Sequence, residues 1–415
     1  MTNQSETIGH IELAADIAQA FASSLNIQDT LRVALRQIMQ HLNAEAASIF
    51  MLDANGEELV CRACAGPVKI DGVRIHVGQG IVGKTVRENR THMIRDASDD
   101  PDFSGAIDSE SGFTTRSVLC APLVVKDERI GAIELINKKS GDGLFNEQDE
   151  NLLMALSSSA SLAIHNSKMA QQLLEQERLR KELELAAEIQ RNLLPASSLS
   201  RSNVYGINMP ARVVSGDFYD YFHLADGRVC FNIADVAGKG INAALLMAKA
   251  SSLFHCLGKE IQDPGRLLSI LNNELVETST RGMFVTMVGG VYDPVSGIVR
   301  IANAGHPPAL LISASGDIEY VAGSSPPLGI LADLDYPEVE VDVNQRGFYL
   351  YTDGITDAFS ADSGRLGDSG FEALLRKHAH VSPAERLQVI VDDIHRGVDQ
   401  LSDDMTVLLI EQPNR

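Results

Sequence analysis

Four acidic positions at the mouths of apolar runs are the first candidates for chemistry in this 415-residue sequence. SGDFYDYF carries Asp217 and Asp220 just ahead of a strand hairpin, and NIADVAG ends a β-like run on Asp235. LYTDGITDA ends another run on Asp353, with Asp357 four residues on, and LSDDMTVLLI opens the last one with Asp403 and Asp404. A single Asp-Gly reads as a turn. The same plan repeated four times between residues 217 and 404 is harder to dismiss. If sheets bring these carboxylates together, they repel strongly unless cations sit between them. Hard divalent ions with oxygen ligands and retained waters, Mg²⁺ or Mn²⁺, are the natural partners. Two such ions supply a hydroxide at neutral pH and neutralise a phosphoryl group.

The stretch FNIADVAGKGINAALLMA invites a different reading. Gly238, Gly240 and Ala243 fit the spacing of a dinucleotide-binding loop. That motif also requires a second parallel strand ending in an acidic residue about 20 to 30 residues on. The following CLGKEIQDPGRLLSIL has Glu260 but no β-branched run before it, and Asp235 would face a pyrophosphate unpaired. A Walker-type loop fails because Lys239 is followed by Gly240 rather than Ser or Thr. The glycines read better as room for a helix to begin beside a carboxylate.

The elements that must hold these residues fall into two halves joined by a long helix. Residues 8 to 43 show helical periodicity, followed by β-like runs at 47 to 53, 58 to 65, 73 to 77, 117 to 125 and 129 to 137. Asn55-Gly56 and Lys126-Asp127 mark tight turns. From Asn146 to Leu194 there is no Gly or Pro, and Pro195 stops the run. Leu179, Leu183, Ala186, Gln190 and Leu193 keep the 4-3-4-3 spacing of a two-stranded coiled coil. Beyond it lie runs at 228 to 235, 284 to 293, 298 to 305, 309 to 313, 347 to 353 and 405 to 411, with helices near 240 to 258, 264 to 280 and 383 to 400. These readings divide the chain into a helical segment at 1–24, a sensor at 25–165, a helical linker at 166–197 and an enzymatic domain at 198–412.

The composition bounds the partners. A hydrophobic fraction of 44% suffices for a core in each domain. A formal net charge of -21 argues against sequence-independent binding to nucleic acid or to an anionic membrane. Five cysteines, an odd number at scattered positions, suit a reducing compartment. Cys61 and Cys64 lie three apart in a strand-like run, which points them to opposite faces and suits burial better than metal or redox chemistry. The N-terminus lacks a basic region followed by an apolar core, and no apolar run reaches the roughly 20 residues that span a bilayer. A cytoplasmic protein is expected.

SGDFYD, IADVAGKGINAALLMA, NAGHPPALL, PPLGI, YTDGITDA and SDDMTVLLI, in that order, resemble the SpoIIE/RsbU branch of the metal-dependent PPM phosphatases. The preceding ELAAEIQRNLLP resembles the helix that enters such domains. The resemblance implies an αββα sandwich and two or more Mn²⁺ or Mg²⁺ ions. It implies that Asp235 bridges two metals, with the Val236 carbonyl completing one coordination shell. Asp353 and Asp403 would hold metal from other strand ends, and Asp217 would act directly or through water. Asp404 would bind an outer metal or orient waters. Arg212 sits where relatives place a phosphate-binding arginine. One departure stands out: relatives from eukaryotes carry a histidine two residues after the bridging Asp, where this chain has Ala237. Protonation of the leaving oxygen would then come from a metal-bound water or another group, with His306 in NAGHPP one candidate, against a histidine satisfied within a turn.

VRIHVGQGIVGKTVRENRTHMIRDASDDPDFS, SVLCAPLVVKDERIGAIELINKK and FNEQDENLLMALSSSASLAIHNS together resemble a GAF domain. That implies an antiparallel sheet with helices and a pocket for a small molecule. Asn137-Lys138, Phe145 and Asp149-Glu150 match a motif of cyclic-nucleotide-binding members, in which these residues brace the fold more than they touch ligand. The expected whole is α+β: a GAF domain, a helical coiled-coil linker that pairs the chain into a homodimer, and a PPM phosphatase. The implied substrate is a phosphorylated anti-anti-sigma (STAS-domain) protein in bacterial partner switching. The rival readings are a ligand-gated interaction protein without catalysis, and a cyclic-nucleotide sensor with another output.

Overall fold

The computed structural model describes residues 27–195, 203–278, 282–321, 323, 325–360, 364–396 and 401–412. The helical segment expected at 1–24 lies outside them. The chain forms two compact units, 1–177 and 178–415.

The N-terminal unit begins with α1 (Ile27–His41), then β1 (Ala44–Leu52), β2 (Glu58–Ala65) and β3 (Arg74–His76). Helix α2 (Gly80–Glu88), β4 (His92–Ile94) and the short α3 (Ala106–Ser111) precede β5 (Val118–Val125), β6 (Glu128–Lys138) and α4 (Glu147–Arg191). The strands make one sheet in the order β3-β2-β1-β6-β5-β4, with every pair antiparallel. Period-two alternation decides its faces. Ile49, Ala121, Ile133 and Leu135 pack against Leu35 and Ile38 of α1 and against Leu153 and Leu156 of α4. Phe50, Cys120 and Ala132 turn to the other face, onto Ile81, Val82 and Val86 of α2. Lys126 takes a positive φ of 56° in the β5–β6 turn, the conformation a two-residue hairpin demands.

The motif residues at the end of β6 brace this unit. Asn137, at φ 59°, accepts from the Arg116 and Ser117 backbone N–H groups and donates to the Thr114 carbonyl. Lys138 Nζ meets Asp149 Oδ1 at 2.6 Å, both side chains about nine-tenths buried, and lies 5.9 Å from the Phe145 ring centre.

The C-terminal unit contains β7 (Val204–Met209), β8 (Phe218–His223), β9 (Val229–Val236), α5 (Ile241–Leu257) and α6 (Pro264–Thr278). Strands β10 (Val285–Asp293), β11 (Ile298–Ala304), β12 (Ala309–Ser313), β13 (Ile318–Val321), β14 (Glu338–Asp342) and β15 (Arg346–Tyr351) follow. A single turn, α7 (Asp353–Thr356), a small hairpin of β16 (Phe359–Ser360) and β17 (Gly364–Arg365), α8 (Gly367–Lys377), α9 (Pro383–His395) and β18 (Met405–Ile410) complete it. Two five-stranded sheets, β14-β11-β10-β9-β8 and β13-β12-β15-β18-β7, face each other across a core that includes Phe231, Ile233, Phe348 and Leu408. Helices α5 and α6 cover the first sheet, through Met247, Phe254 and Leu271. Helices α8 and α9 cover the second, through Phe371, Leu387 and Ile390. The αββα layering expected from the sequence is what the chain adopts.

Helix α4 runs unbroken for 45 residues. Of the coiled-coil spacing read along it, the last two positions serve their own unit. The Gln190 side chain is buried against Ser215, and Leu193 packs on the core beneath α5 and α6. Leu173, Leu174, Leu179, Leu185 and Ile189 are exposed. No helix among the described residues is long and apolar enough to cross a membrane.

Removing one partner of a buried pair strands the other charge, at a cost of about 3–5 kcal/mol. Asp149→Asn or Lys138→Met should therefore destabilise the N-terminal unit by that amount in urea unfolding followed by circular dichroism. A loss below about 1 kcal/mol would mean the pair behaves as a solvated surface bridge.

Candidate metal centre

Strand alternation delivers the predicted residues to one rim. Phe231 and Ile233 of β9, Tyr219 and Tyr221 of β8, Phe348 and Leu350 of β15, and Leu408 and Ile410 of β18 all lie in the core between the sheets. Two residues further along, the same rows reach Asp235, Asp217, Thr352 and Thr406. Antiparallel pairing aligns those ends, with Phe218 opposite Ala234 and Tyr351 opposite Val407. An apolar core thus finishes in a polar edge.

Asp217 is 3% exposed, and its Oδ2 accepts the Thr352 and Thr406 hydroxyls at 2.6 and 2.9 Å. Burial, and after it the charge of Asp235, push this carboxyl well above the usual carboxylate range. Burial and then the charge of Asp353 raise Asp235 to about 6, against a hydrogen bond with Asp217 that lowers it. Asp353, the first residue of α7, is raised by burial, then by Asp357 and Asp403. Gly354 lets this turn close on the last strand, because a Cβ there would run into the Asp404 carbonyl oxygen.

The adjacent acids behave differently. Asp404 is engaged by the loop before β8. Its Oδ1 accepts from the Ala211 N–H at 2.7 Å, and its Oδ2 from the Gly216 N–H at 2.7 Å and the Ser215 hydroxyl at 2.9 Å. Asp403 pairs with Lys239 Nζ at 2.8 Å, and that ammonium also donates to the Ser402 carbonyl. Arg212, Asp235, Lys239, Asp403 and Asp404 share the wall of one cleft. A Cβ at Gly216 would sit 3.3 Å from the Val236 carbonyl oxygen and 3.9 Å from Asp235 Oδ1, so the glycine keeps that side open.

Two acids or bases singled out in the sequence stand elsewhere or in another role. Asp220 is buried and meets His255 Nδ1 at 2.6 Å. His306 meets the Thr286 hydroxyl at 2.9 Å and is held in its turn by Asn303 through both backbone groups. Burial pushes its pKa down to about 3, which leaves it neutral and unsuited to giving up a proton. The residues that sequence reasoning missed are Thr352, Thr406, Ser215 and Gln190. A threonine within two positions of an aspartate, Thr352 next to Asp353 and Thr406 two after Asp404, was the available signal for the first two.

The donor chemistry fits a hard divalent cation: oxygen ligands, mutual repulsion and burial without compensating charge. Among the described residues, no group of three Asp, Glu, His or Cys side chains is disposed to hold one ion by itself. Mg²⁺-like ions need only one or two carboxylates, since waters and a phosphate complete the shell. Lys239, meanwhile, supplies Asp403 with a positive charge from within the chain.

Comparison with known proteins identifies the two domains. The family model for stage II sporulation protein E (SpoIIE) matches residues 225–413, which include Asp235, Asp353 and Asp403, and the GAF domain model matches residues 26–164. The chain joins a GAF domain to a SpoIIE-type protein phosphatase domain. The phosphoserine phosphatase RsbU of Bacillus subtilis (strain 168) is 29% identical over 244 residues, 57% of this chain and 72% of RsbU. The phosphoserine phosphatase RsbP of the same organism is 29% identical over 184 residues, 43% of this chain and 46% of RsbP, so the match spans under half of that relative. The SiaA-PP2C domain of Pseudomonas aeruginosa superposes with a TM-score of 0.52 at 25% identity, covering 58% of this chain and all but 1% of that one, at 99%. Protein phosphatases of this SpoIIE/PP2C type are metal-dependent by family, and Asp217 and Arg212 lie just ahead of the matched segment.

The sign of the pH effect follows from Asp235. Its folded pKa, about 6, lies above the unfolded carboxylate value, so the folded form binds the proton more tightly. Without divalent ions, that stabilisation is full below about pH 4 and is lost as pH rises through about 6. Thermal melts in a chelator should show this fall, and Asp235→Asn should flatten it. At pH 7.5, Mn²⁺ at roughly 100 times its Kd should restore about 2.7 kcal/mol. Equal melts with and without Mn²⁺ would contradict the site.

Proposed function

We propose that this SpoIIE-type phosphatase removes phosphate from phosphoserine or phosphothreonine on an anti-anti-sigma (STAS-domain) protein in bacterial partner switching. The GAF domain regulates it in the cytoplasm, and the enzyme pairs as a homodimer through α4. The observation that carries the reading is the convergence of Asp217, Asp235, Asp353 and Asp403 at one rim, beside Arg212 and Lys239. The names of the RsbU and RsbP relatives, both phosphoserine phosphatases, support the substrate class. The free cysteines and the exposed leucines of α4 support the compartment and the pairing.

In this reading Asp235, Asp353 and Asp403, with the Val236 carbonyl, hold Mn²⁺ or Mg²⁺. When bound, the ions supply a hydroxide at neutral pH and neutralise phosphoryl oxygens. Thr352 and Thr406 fix Asp217 in a single orientation behind Asp235. Arg212 is free to offer its planar fork to the phosphate from the cleft wall. Lys239 lines the same cleft, where its ammonium, now paired with Asp403, would be within reach of a substrate phosphate. Neither Ala237 nor His306 carries the leaving-group proton.

Purified full-length protein with Mn²⁺ should release phosphate from a phosphorylated STAS protein. Asp235→Asn and Asp353→Asn should each lower kcat by at least about 100-fold, and Arg212→Ala should act mainly through KM. Unchanged turnover in both aspartate variants would sink the metal assignment. Absence of both turnover and Mn²⁺ binding would favour the non-catalytic scaffold.

A further inference from the structure

The sheet of the GAF unit carries one residue that its own packing does not explain. Along β6, Ala132, Glu134 and Ile136 share the face that α2 covers, and Glu134 interrupts an otherwise apolar row. Ser48 lies directly across on β1 and donates its hydroxyl to Glu134 Oε2 at 3.1 Å. Among the described residues, that is the hydrogen bond this carboxylate receives, and no cation pairs with it. Burying a carboxylate with so little compensation is costly. Desolvation, with the charge of Asp108 added, raises its pKa to about 7.

Glu134 opens into a cavity between the sheet and the segment around α3. Ala46, Ile70, Phe103, Ile107 and Phe113 give it apolar walls, and its enclosed part is about 90 Å³. The other acid of its wall is Asp108, whose two oxygens take the Thr115 hydroxyl and N–H at 2.9 and 2.7 Å. Among the described residues, no Lys, Arg or His lines the cavity. Nor does any of Asn137, Lys138, Phe145, Asp149 or Glu150, the motif that raised a cyclic nucleotide as ligand. Those residues are committed to the fold, with Lys138 held by Asp149.

A nucleotide phosphate would bring a further negative charge beside Glu134 and Asp108 with no lining cation to balance it. The enclosed space is also well below the roughly 300–1,000 Å³ of sites for larger ligands. An apolar hollow with one under-bonded carboxylate calls for the opposite charge on a small body. We propose that this cavity binds a small organic cation, a primary ammonium or amidinium on a short hydrocarbon body, with its charge paired to Glu134. Ser48 then holds one carboxylate oxygen in place while the ligand takes the other. The proposal is independent of the phosphatase reading, and binding alone tests it.

The test uses full-length protein and three probes of one shape: n-butylammonium, n-butanol and n-butyrate, with 3′,5′-cyclic AMP alongside. Calorimetry and thermal shift should rank butylammonium first, with butanol at least about tenfold weaker, the worth of one charge-assisted hydrogen bond. Butyrate and the cyclic nucleotide should give no shift. Glu134→Gln, which keeps the shape, should bring butylammonium down to the level of butanol. If that variant fails to fold, the wild-type ranking still decides the matter. Equal binding of ammonium and alcohol, stabilisation by butyrate or the cyclic nucleotide, or undiminished ammonium binding in a folded Glu134→Gln would each overturn the proposal.

Discussion

Side chains two apart on a strand face the same way, and in the C-terminal unit that constraint makes the core and the candidate site a single object. The rows that fill the space between the sheets with Phe231, Ile233, Phe348, Leu350 and Leu408 continue, at the same spacing, into Asp235, Thr352 and Thr406. A one-residue slip in any of these strands would turn its acid or threonine outward and its apolar row with it. The register that keeps the core dry is the register that gathers the polar rim. Any change that loosens the core therefore also disperses the site.

The rim is expensive to hold together, and its surroundings show how the cost is distributed. Asp217 receives two hydroxyls, and Thr406 in turn accepts from Asn208 at 2.8 Å, so its proton is directed at the carboxylate. Asp404 receives two backbone N–H groups and one hydroxyl. Asp403 receives an ammonium. Among the described residues Asp235 and Asp353 have no comparable set: burial and then Asp353 raise Asp235, while burial and then Asp357 and Asp403 raise Asp353. The acids thus divide into those satisfied by the protein and those left with unused affinity for positive charge. The second group is where an added cation gains most.

Much of this was legible in the sequence because it rests on strong local signals. The central strands of both units are apolar runs bounded by turn residues, and they were found within one to three residues. Strands β4, β7, β8, β13 and β14, and the short β16 and β17, were not. Four of the five residues of β14, Glu338, Val339, Glu340 and Asp342, are exposed, and only Val341 is buried, so an edge strand left little apolar pattern to read. The acids of the rim could be named because each stands at one end of an apolar run, Asp217 and Asp353 beside a glycine. Their division of labour could not, since it depends on partners such as Ala211, Ser215 and Thr352, which are distant in sequence and chemically ordinary. The same limit applied to Gln190. The 4-3-4-3 spacing assigned it to a helix seam, whereas it binds its own unit.

That glutamine has a mechanical consequence. Its Nε2 donates to the Ser215 carbonyl at 2.8 Å and its Oε1 accepts from the Ser215 N–H at 3.0 Å, closing a ring between the last turns of α4 and the loop. The Ser215 hydroxyl carries the connection to Asp404, and Asp217 is two residues away. Helix end and acidic loop therefore share one degree of freedom. Advancing the helix by a residue means turning it by about 100°, which would swing the amide away from Ser215. Between the end of a 45-residue rod and the carboxylate behind Asp235, the coupling is one side chain long.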